Sequence, residues 1–225
     1  MVKKRVRKFN FKKFALFIIT IVVLIILGNY IANIKLKNII ITGNNYYTDD
    51  EIIEESGIYN YPKFIFINSS IIKKKLLKLD MIEEVNVSKK YDFSIRINVK
   101  EKKILYYDRA DDLYMLSDLK KYKLDNVLAS ATLINFVPSD IENKFVSKLK
   151  LIDENILKLI SEIEYSKSEY DNERFLLTMN DGNQVYITIS KLNVLNKYID
   201  IVKKLDNKKG ILDLDSGNYF EIKGK

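Results

Sequence analysis

Two stretches of the chain place a serine three residues before a lysine, Ser70-Ile71-Ile72-Lys73 and Ser117-Asp118-Leu119-Lys120. In a serine acyl-enzyme this S-x-x-K spacing brings an amine beside a hydroxyl, so that the oxygen can lose its proton as it attacks. Ser216-Gly217-Asn218 fits the S-x-N element that accompanies it, but the third element, lysine followed by threonine or serine and glycine, is absent. Ser69 or Ser70 is read instead as the cap of a helix. Histidine and cysteine are both missing, which removes the commonest general base, the thiolate nucleophile and the softer metal ligands. Carboxylates occur as neighbours at Asp49/Asp50, Glu83/Glu84 and Asp111/Asp112. Adjacent side chains diverge on a helix or a strand, so these are solvated surface and not acid–base dyads or cation cages. Asp181-Gly182 belongs to a turn, without the regular oxygen spacing of a calcium loop. No catalysis, cofactor or metal is expected.

Charge is the next candidate for function. The 38 lysines and arginines against 30 acids leave a net +8, but the excess is local. Lys3, Lys4, Arg5, Arg7, Lys8, Lys12 and Lys13 all fall within residues 1–13, where there is no acid. A basic tail leading into an apolar run is a topology signal before it is a nucleic-acid surface, so no nucleic-acid partner is expected. From Phe14 through Leu27 to Ala32 there is no charged residue. As a helix this run covers about 28 Å, the hydrocarbon thickness of a bilayer. No polar stripe marks it as a core helix, and Tyr30, two before Ala32, breaks the small-residue pattern of a cleavage site. Residues 14–32 are therefore expected to be an uncleaved membrane anchor with lipid as its partner. The cations place residues 1–13 in the cytoplasm and everything from Asn33 outside it. Lys73, Lys74, Lys75 and Lys78 also cluster; a solvated helix face accounts for them better than a site for wall polymer or lipid headgroups.

The elements that must position any site follow from patterning. Leu36–Thr42 alternates like a strand and stops at Gly43-Asn44-Asn45. Thr48 and Glu51 form a capping box for a short helix that ends at Gly57. A second helix carries Ile72, Leu76 and Leu79 on one face. Strands at Val85-Asn86-Val87 and at Phe93, Ile95, Ile97 and Val99 flank a turn at Lys89–Asp92. The order is β-α-α-β-β. Residues 36–107, through ITGNNYYTDDEIIEESGI and IEEVNVSKKYDFSIRINVKEK, resemble the polypeptide-transport-associated (POTRA) domain of the FtsQ/DivIB cell-division family. The matching pieces are Gly43-Asn44, the Thr48 cap, Ile82-Glu83-Glu84-Val85 and Val99-Lys100-Glu101-Lys102. Where family members carry an aromatic-proline pair at the last turn, this chain has Tyr91-Asp92.

Beyond Ile104, Leu113-Tyr114-Met115-Leu116 and Ser117-Asp118 resemble the strand and turn that open the family's β domain, with Leu119 where a glycine is usual. Leu149, Ile152, Ile156, Ile160 and Ile163 have the spacing of an amphipathic helix, as do Leu192, Leu195, Ile199, Val202 and Leu205. Phe175–Met179 and Val185–Ile189 flank Asn180-Asp181-Gly182-Asn183, a hairpin signal. Strands at Ile211–Asp215 and Tyr219–Ile222 close the chain. The expected architecture is α+β: a basic tail (1–13), a transmembrane helix (14–32), a POTRA domain (33–104) and a mainly antiparallel β domain with flanking helices (105–225).

Residues 211–222 contain neither lysine nor proline, the usual guards of a sheet edge. The residues alone fit equally an open edge that another strand can join and an ordinary closing strand with inward aromatics. The resemblance implies the former, because the family receives an FtsB/DivIC-like partner at this margin. On the strand match, Leu212, Leu214, Tyr219 and Phe220 are the expected contacts, aided by the helix at Leu192–Leu205. The resemblance further implies a non-catalytic divisome scaffold at the septum. Its partners would be FtsB/DivIC-like and FtsL-like coiled-coil proteins, and it would link to the septal peptidoglycan synthase complex. The alternative is a POTRA component of polypeptide transport or membrane-protein assembly; no alternation of a porin-sized barrel follows to favour it.

Overall fold

The computed structural model describes residues 10–124, 128–206, 208–215, 217 and 219–222. Five of the tail cations, together with Ser216 and Asn218 of the S-x-N element, lie outside the described residues. The chain divides into two compact units, residues 1–101 and 102–225.

The first unit opens with α1, Phe11–Ala32, a 22-residue helix beginning three residues earlier than its uncharged stretch. Asn10 caps it, its side chain accepting from Lys13 N at 3.2 Å. None of its residues is buried within the structure, including Phe14 and Leu27. The helix is long and apolar enough to cross a membrane.

Behind it come β1 (Asn38–Thr42), α2 (Asp49–Ser56), α3 (Ser69–Leu76), β2 (Ile82–Lys89) and β3 (Ser94–Glu101). The three strands form one sheet in the order β1-β3-β2, with β1 parallel and β2 antiparallel to the central β3. Ile52, Ile72, Leu76, Val85, Ile95 and Ile97 are buried and make the core between helices and sheet. The capping box is present in full: Glu51 N donates to Thr48 Oγ1, and Thr48 N to Glu51 Oε2 at 2.8 Å. Neither Ser69 nor Ser70 caps α3. Asn68 does, accepting from Ser70 N at 2.9 Å, because its amide oxygen reaches the orphan N–H groups one residue earlier. At Gly43 the backbone has φ +87°, and a Cβ would stand 2.0 Å from the Val99 carbonyl oxygen, so only glycine fits.

The second unit is built on a nine-stranded sheet. Its strands in chain order are β4 (Ile104–Asp108), β5 (Leu113–Leu116), β6 (Lys121–Tyr122), β7 (Thr132–Leu133), β8 (Ile160–Tyr165), β9 (Arg174–Met179), β10 (Gln184–Thr188), β11 (Gly210–Asp213) and β12 (Tyr219–Ile222). Their order across the sheet is β12-β11-β10-β9-β8-β7-β4-β5-β6. Pairing is antiparallel except at β10–β11, β4–β7 and β7–β8. α4 (Ser139–Leu149), α5 (Glu154–Leu157) and α6 (Tyr198–Lys204) complete the unit. Phe145 of α4 stacks on Phe175 of β9 at 3.9 Å between centroids, in a core shared with Leu177, Val185 and Ile187.

Of two helices expected from spacing, the first is broken into other structures and the second forms with a different winding. Leu149 ends α4, Ile152 lies in a turn, Ile156 is in α5, and Ile160 and Ile163 are in β8. All five are buried, but a shift in the β8–β9 register between Ile160 and Glu162 allows two strand residues three apart to face inward. A bulge thus imitates helical spacing. Likewise Ile189–Lys197 winds as a 3₁₀ helix before α6. At three residues per turn Ile189, Leu192, Leu195 and Tyr198 share one buried face, which turns Ile199 outward. The hairpin at residues 180–183 forms as expected, with Gly182 at φ +91°.

Leu119 occupies a left-handed backbone, φ +66°, in the turn between β5 and β6, where its N–H donates to the Leu116 carbonyl at 2.9 Å. Its side chain is exposed, so little packing offsets the strain of a branched residue there. Leu119→Gly is expected to stabilise the unit by about 1 kcal/mol. Thermal unfolding of the detergent-solubilised chain checks this; a lower midpoint would refute it.

Candidate partner-binding site

Four strands lie at sheet margins. β6 is two residues long and carries Lys121, and β2 carries Glu83, Glu84 and Lys89; both are guarded by shortness or charge. β1 and β12 themselves have neither lysine nor proline, though lysines flank both in sequence, Lys35 and Lys37 before β1 and Lys223 after β12. Among the described residues β12 is paired on one side only, antiparallel to β11, with Gly210 opposite Ile222, Leu212 opposite Phe220 and Asp213 opposite Tyr219.

This register sorts the four expected contact residues. Leu212 on β11 and Leu214 just after it are buried in the unit's own core, so their side chains face inward and not toward a partner. Leu212 sits on an inner strand, since β11 is sandwiched between β10 and β12, and Leu214, one residue past that strand, donates its N–H to the Tyr186 carbonyl at 2.9 Å. Phe220 shares their face and packs half-buried against the core. Tyr219 is on the other face and is 65% exposed. The helix expected to assist, Leu192–Leu205, spends Leu192 and Leu195 on the same core.

The outer face beside the edge was not anticipated. Tyr186, Asp213 and Tyr219 stand in one row across β10, β11 and β12. Arg174 lies over the Tyr186 ring at 3.8 Å and is 3.9 Å from Asp213 and 3.4 Å from Asp215. Burial, helped by Asp171 and Asp213, raises the Asp215 carboxyl above its ordinary range against the pull of Arg174 and Lys191. The alternation of residues 211–215 carried this signal, since the aspartates had to face away from the leucines.

Two glycine- and asparagine-based contacts hold β12 in place. A Cβ on Gly210 would stand 2.0 Å from the Glu221 carbonyl oxygen, so β11 and β12 approach more closely there than any side chain permits. Gly210 N donates to the buried Asn183 Oδ1 at 2.9 Å. Asn183 Nδ2 in turn donates to Asp181 and lies 3.1 Å from the Tyr198 hydroxyl, which donates to Asp181 at 2.8 Å. Burial, with Asp181 alongside, raises the Tyr198 phenol. The hairpin turn is therefore wired to α6 and to the start of β11.

A second cluster that sequence reasoning missed lies around Lys121, whose Nζ is 2.7 Å from Asp108, 2.8 Å from Asp111 and 3.2 Å from Glu142. The buried Tyr106 donates to Glu142 at 2.7 Å. Burial pushes the Asp108 carboxyl up, but the Lys121 ammonium outweighs it and holds the group below the usual carboxylate range. For Lys121 burial works downward, and the three carboxylates together hold it above the ordinary lysine range.

The residues with possible chemistry are dispersed. Ser70 is exposed on α3, and Ser117 Oγ accepts from Lys103 N at 3.1 Å in the strand pairing. Glu83 pairs with Lys100, Asp111 with Lys121, and Asp112 with Lys123 and the Tyr107 hydroxyl. Among the described residues no group of three or more acids, histidines or cysteines could hold a metal ion. Lys73, Lys74 and Lys78 are exposed, and Lys73–Lys75 occupy the last turn of α3, where cations suit the helix dipole.

A helix long and apolar enough to span a bilayer, a β-α-α-β-β unit with sheet order β1-β3-β2, and a larger nine-stranded sheet are the parts of a POTRA-bearing protein with a candidate membrane helix. Residues 34–102 match the family model for the POTRA domain, FtsQ-type. The cell division protein DivIB of Listeria monocytogenes is 30% identical over 198 residues, covering 83% of this chain and 72% of that protein. DivIB of Bacillus subtilis is 29% identical over 217 residues, covering 93% and 82%. A solved major extracytoplasmic domain of DivIB from Geobacillus stearothermophilus aligns with 48% of this chain and 97% of its own, at 21% identity and a TM-score of 0.37. The chain belongs to the FtsQ/DivIB family of cell-division proteins, and its role is in cell division.

Proposed function

We propose that this chain is a non-catalytic scaffold of the division machinery, held by α1 with residues 1–13 in the cytoplasm and the body outside. It gathers partners at the division septum and couples them to septal peptidoglycan synthesis. The partner is an FtsB/DivIC-like coiled-coil protein with its FtsL-like companion, and recognition is strand addition at β12. The observation that carries this is that β12, a strand without lysine or proline, pairs on one side only among the described residues. Backbone groups of Tyr219–Ile222 supply affinity in such a mode, and side chains on alternate faces supply selectivity. Of the four residues assigned to contact, Tyr219 acts by its side chain and Phe220 by its backbone, while Leu212 and Leu214 act only by holding the strand beneath them.

The tests are a tagged full-length chain solubilised from membranes and the same chain lacking residues 216–225. The complete chain is expected to retain a small coiled-coil membrane protein and the truncated chain to lose it. Equal retention by both would remove the β12 edge from consideration.

A further inference from the structure

We propose that the end of the POTRA unit nearest α1 is itself a lipid-binding surface, resting in the interfacial layer of the bilayer that α1 spans. This deepens the anchored reading and rests on it. α1 ends at Ala32, and the Ile34 carbonyl, about 7 Å further along the chain at most, accepts from Phe64 N at 2.8 Å. Leu36 N donates to the Pro62 carbonyl at 2.9 Å, and the backbones of Lys35 and Lys63 form an isolated antiparallel β-bridge. The segment around residues 61–67 is thereby tied to the exit of the helix, within reach of a headgroup layer about 5 to 8 Å deep.

What that segment displays is apolar. Phe66 is 74% exposed and Ile65 54%, with Tyr61 beside them. They are held out rigidly: Lys89 Nζ donates to the carbonyls of Phe64 and Ile67, and Phe64 packs edge-on against Phe93 at 5.5 Å. β1 runs parallel to β3 with Asn38 opposite Ser94, so the turn before β3 lies at the same end. Lys37 N donates to the Phe93 carbonyl at 3.0 Å, and Tyr91 in that turn is fully exposed. Exposed Lys35, Lys63 and Lys90 stand among these side chains. Single exposed aromatics need no explanation, but aromatics grouped with cations where a membrane helix emerges have the composition of an interfacial belt. The occupant is lipid and not a protein because the surface is continuous with the spanning helix and its cations suit anionic headgroups.

The chain contains no tryptophan, so single tryptophans report position without background. Full-length variants Phe66→Trp, Tyr91→Trp, Val22→Trp and Asn45→Trp would be placed in phosphatidylglycerol–phosphatidylcholine vesicles with lipid brominated either near the headgroup or near the bilayer centre. Val22 lies midway along α1, and Asn45 is exposed beyond the far end of β1. Phe66→Trp and Tyr91→Trp are expected to lose at least about half their emission to the shallow bromines, as belt residues do, while Asn45→Trp is unaffected. Val22→Trp should be quenched most by the deep bromines. Phe66→Trp and Tyr91→Trp emission matching Asn45→Trp, with Val22→Trp quenched, would overturn the lipid-contact proposal and leave the anchor intact. Failure of Val22→Trp to quench would overturn both.

Discussion

Gly210→Ala is expected to detach β12 from the sheet and reduce capture of the coiled-coil partner at least about tenfold, because docking and strand placement share one backbone contact. The added Cβ would stand 2.0 Å from the Glu221 carbonyl oxygen and 2.9 Å from the tip of the Phe220 ring. The ring can rotate away, but the carbonyl belongs to the strand itself. Moving it opens the Gly210–Ile222 and Leu212–Phe220 register, and moving Gly210 instead breaks its bond to Asn183. Overpacking of this kind costs about 1 to 3 kcal/mol, enough to free a four-residue edge strand without unfolding the unit. Gly217→Ala is the control, since nothing lies within 4 Å of its added Cβ. Amide exchange across residues 219–222 reads the strand, and co-purification reads the partner. Rapid exchange with undiminished capture would disconnect β12 from recognition.

Lys121→Met is expected to cost about 2 to 4 kcal/mol near neutral pH, because it strands carboxylates that the fold has already partly buried. Asp108 has 8% of its side chain exposed and Glu142 18%, and Lys121 is the cation paired with both. In the natural chain Asp108 is depressed, so its contribution is present above the unfolded value of about 3.9 and lost as pH falls through the folded one. Lys121 is raised, so its contribution is full below about 10.4 and lost only as pH rises through the folded value. Once the ammonium is gone, burial and the neighbouring carboxylates of Asp111 and Glu142 push Asp108 up, against only the N–H groups of Ala110 and Asp111. Its folded value is then expected to rise above the unfolded one and the sign to reverse, so that the variant becomes relatively more stable as pH falls. Denaturant titrations at about pH 7 and about pH 5 should show the deficit shrinking in acid. A deficit that is constant with pH would mean that Lys121 acts by packing alone.

Local rules reached some elements and missed others for identifiable reasons. Thr48 with Glu51, and Gly182 in its turn, are decided within four residues of chain, so both were legible. The spacing of Ile160 and Ile163 is that of a helix because a bulge reproduces it, and only the pairing with β9 reveals the strand. Ile141, Phe145, Val146 and Leu149 share a buried face of α4, a helix that the spacing from Leu149 onward does not include. The margin at β12 was visible in its composition, but the inward turn of Leu212 and Leu214 depends on which neighbour β11 acquires, and that neighbour is β10, in parallel. Lys121 could not be singled out, since Asp108 and Glu142 reach it only through the folded sheet.

The parallel pairing of β1 with β3 has a mechanical consequence. A pull transmitted from α1 to the second unit enters the ladder at Asn38 and leaves it at Glu101, at opposite ends of two adjacent strands. The five register pairs from Asn38–Ser94 to Thr42–Asn98 are then loaded in shear, all at once, and not unzipped one after another. The link between α1 and the second unit is thus built to bear tension along its length.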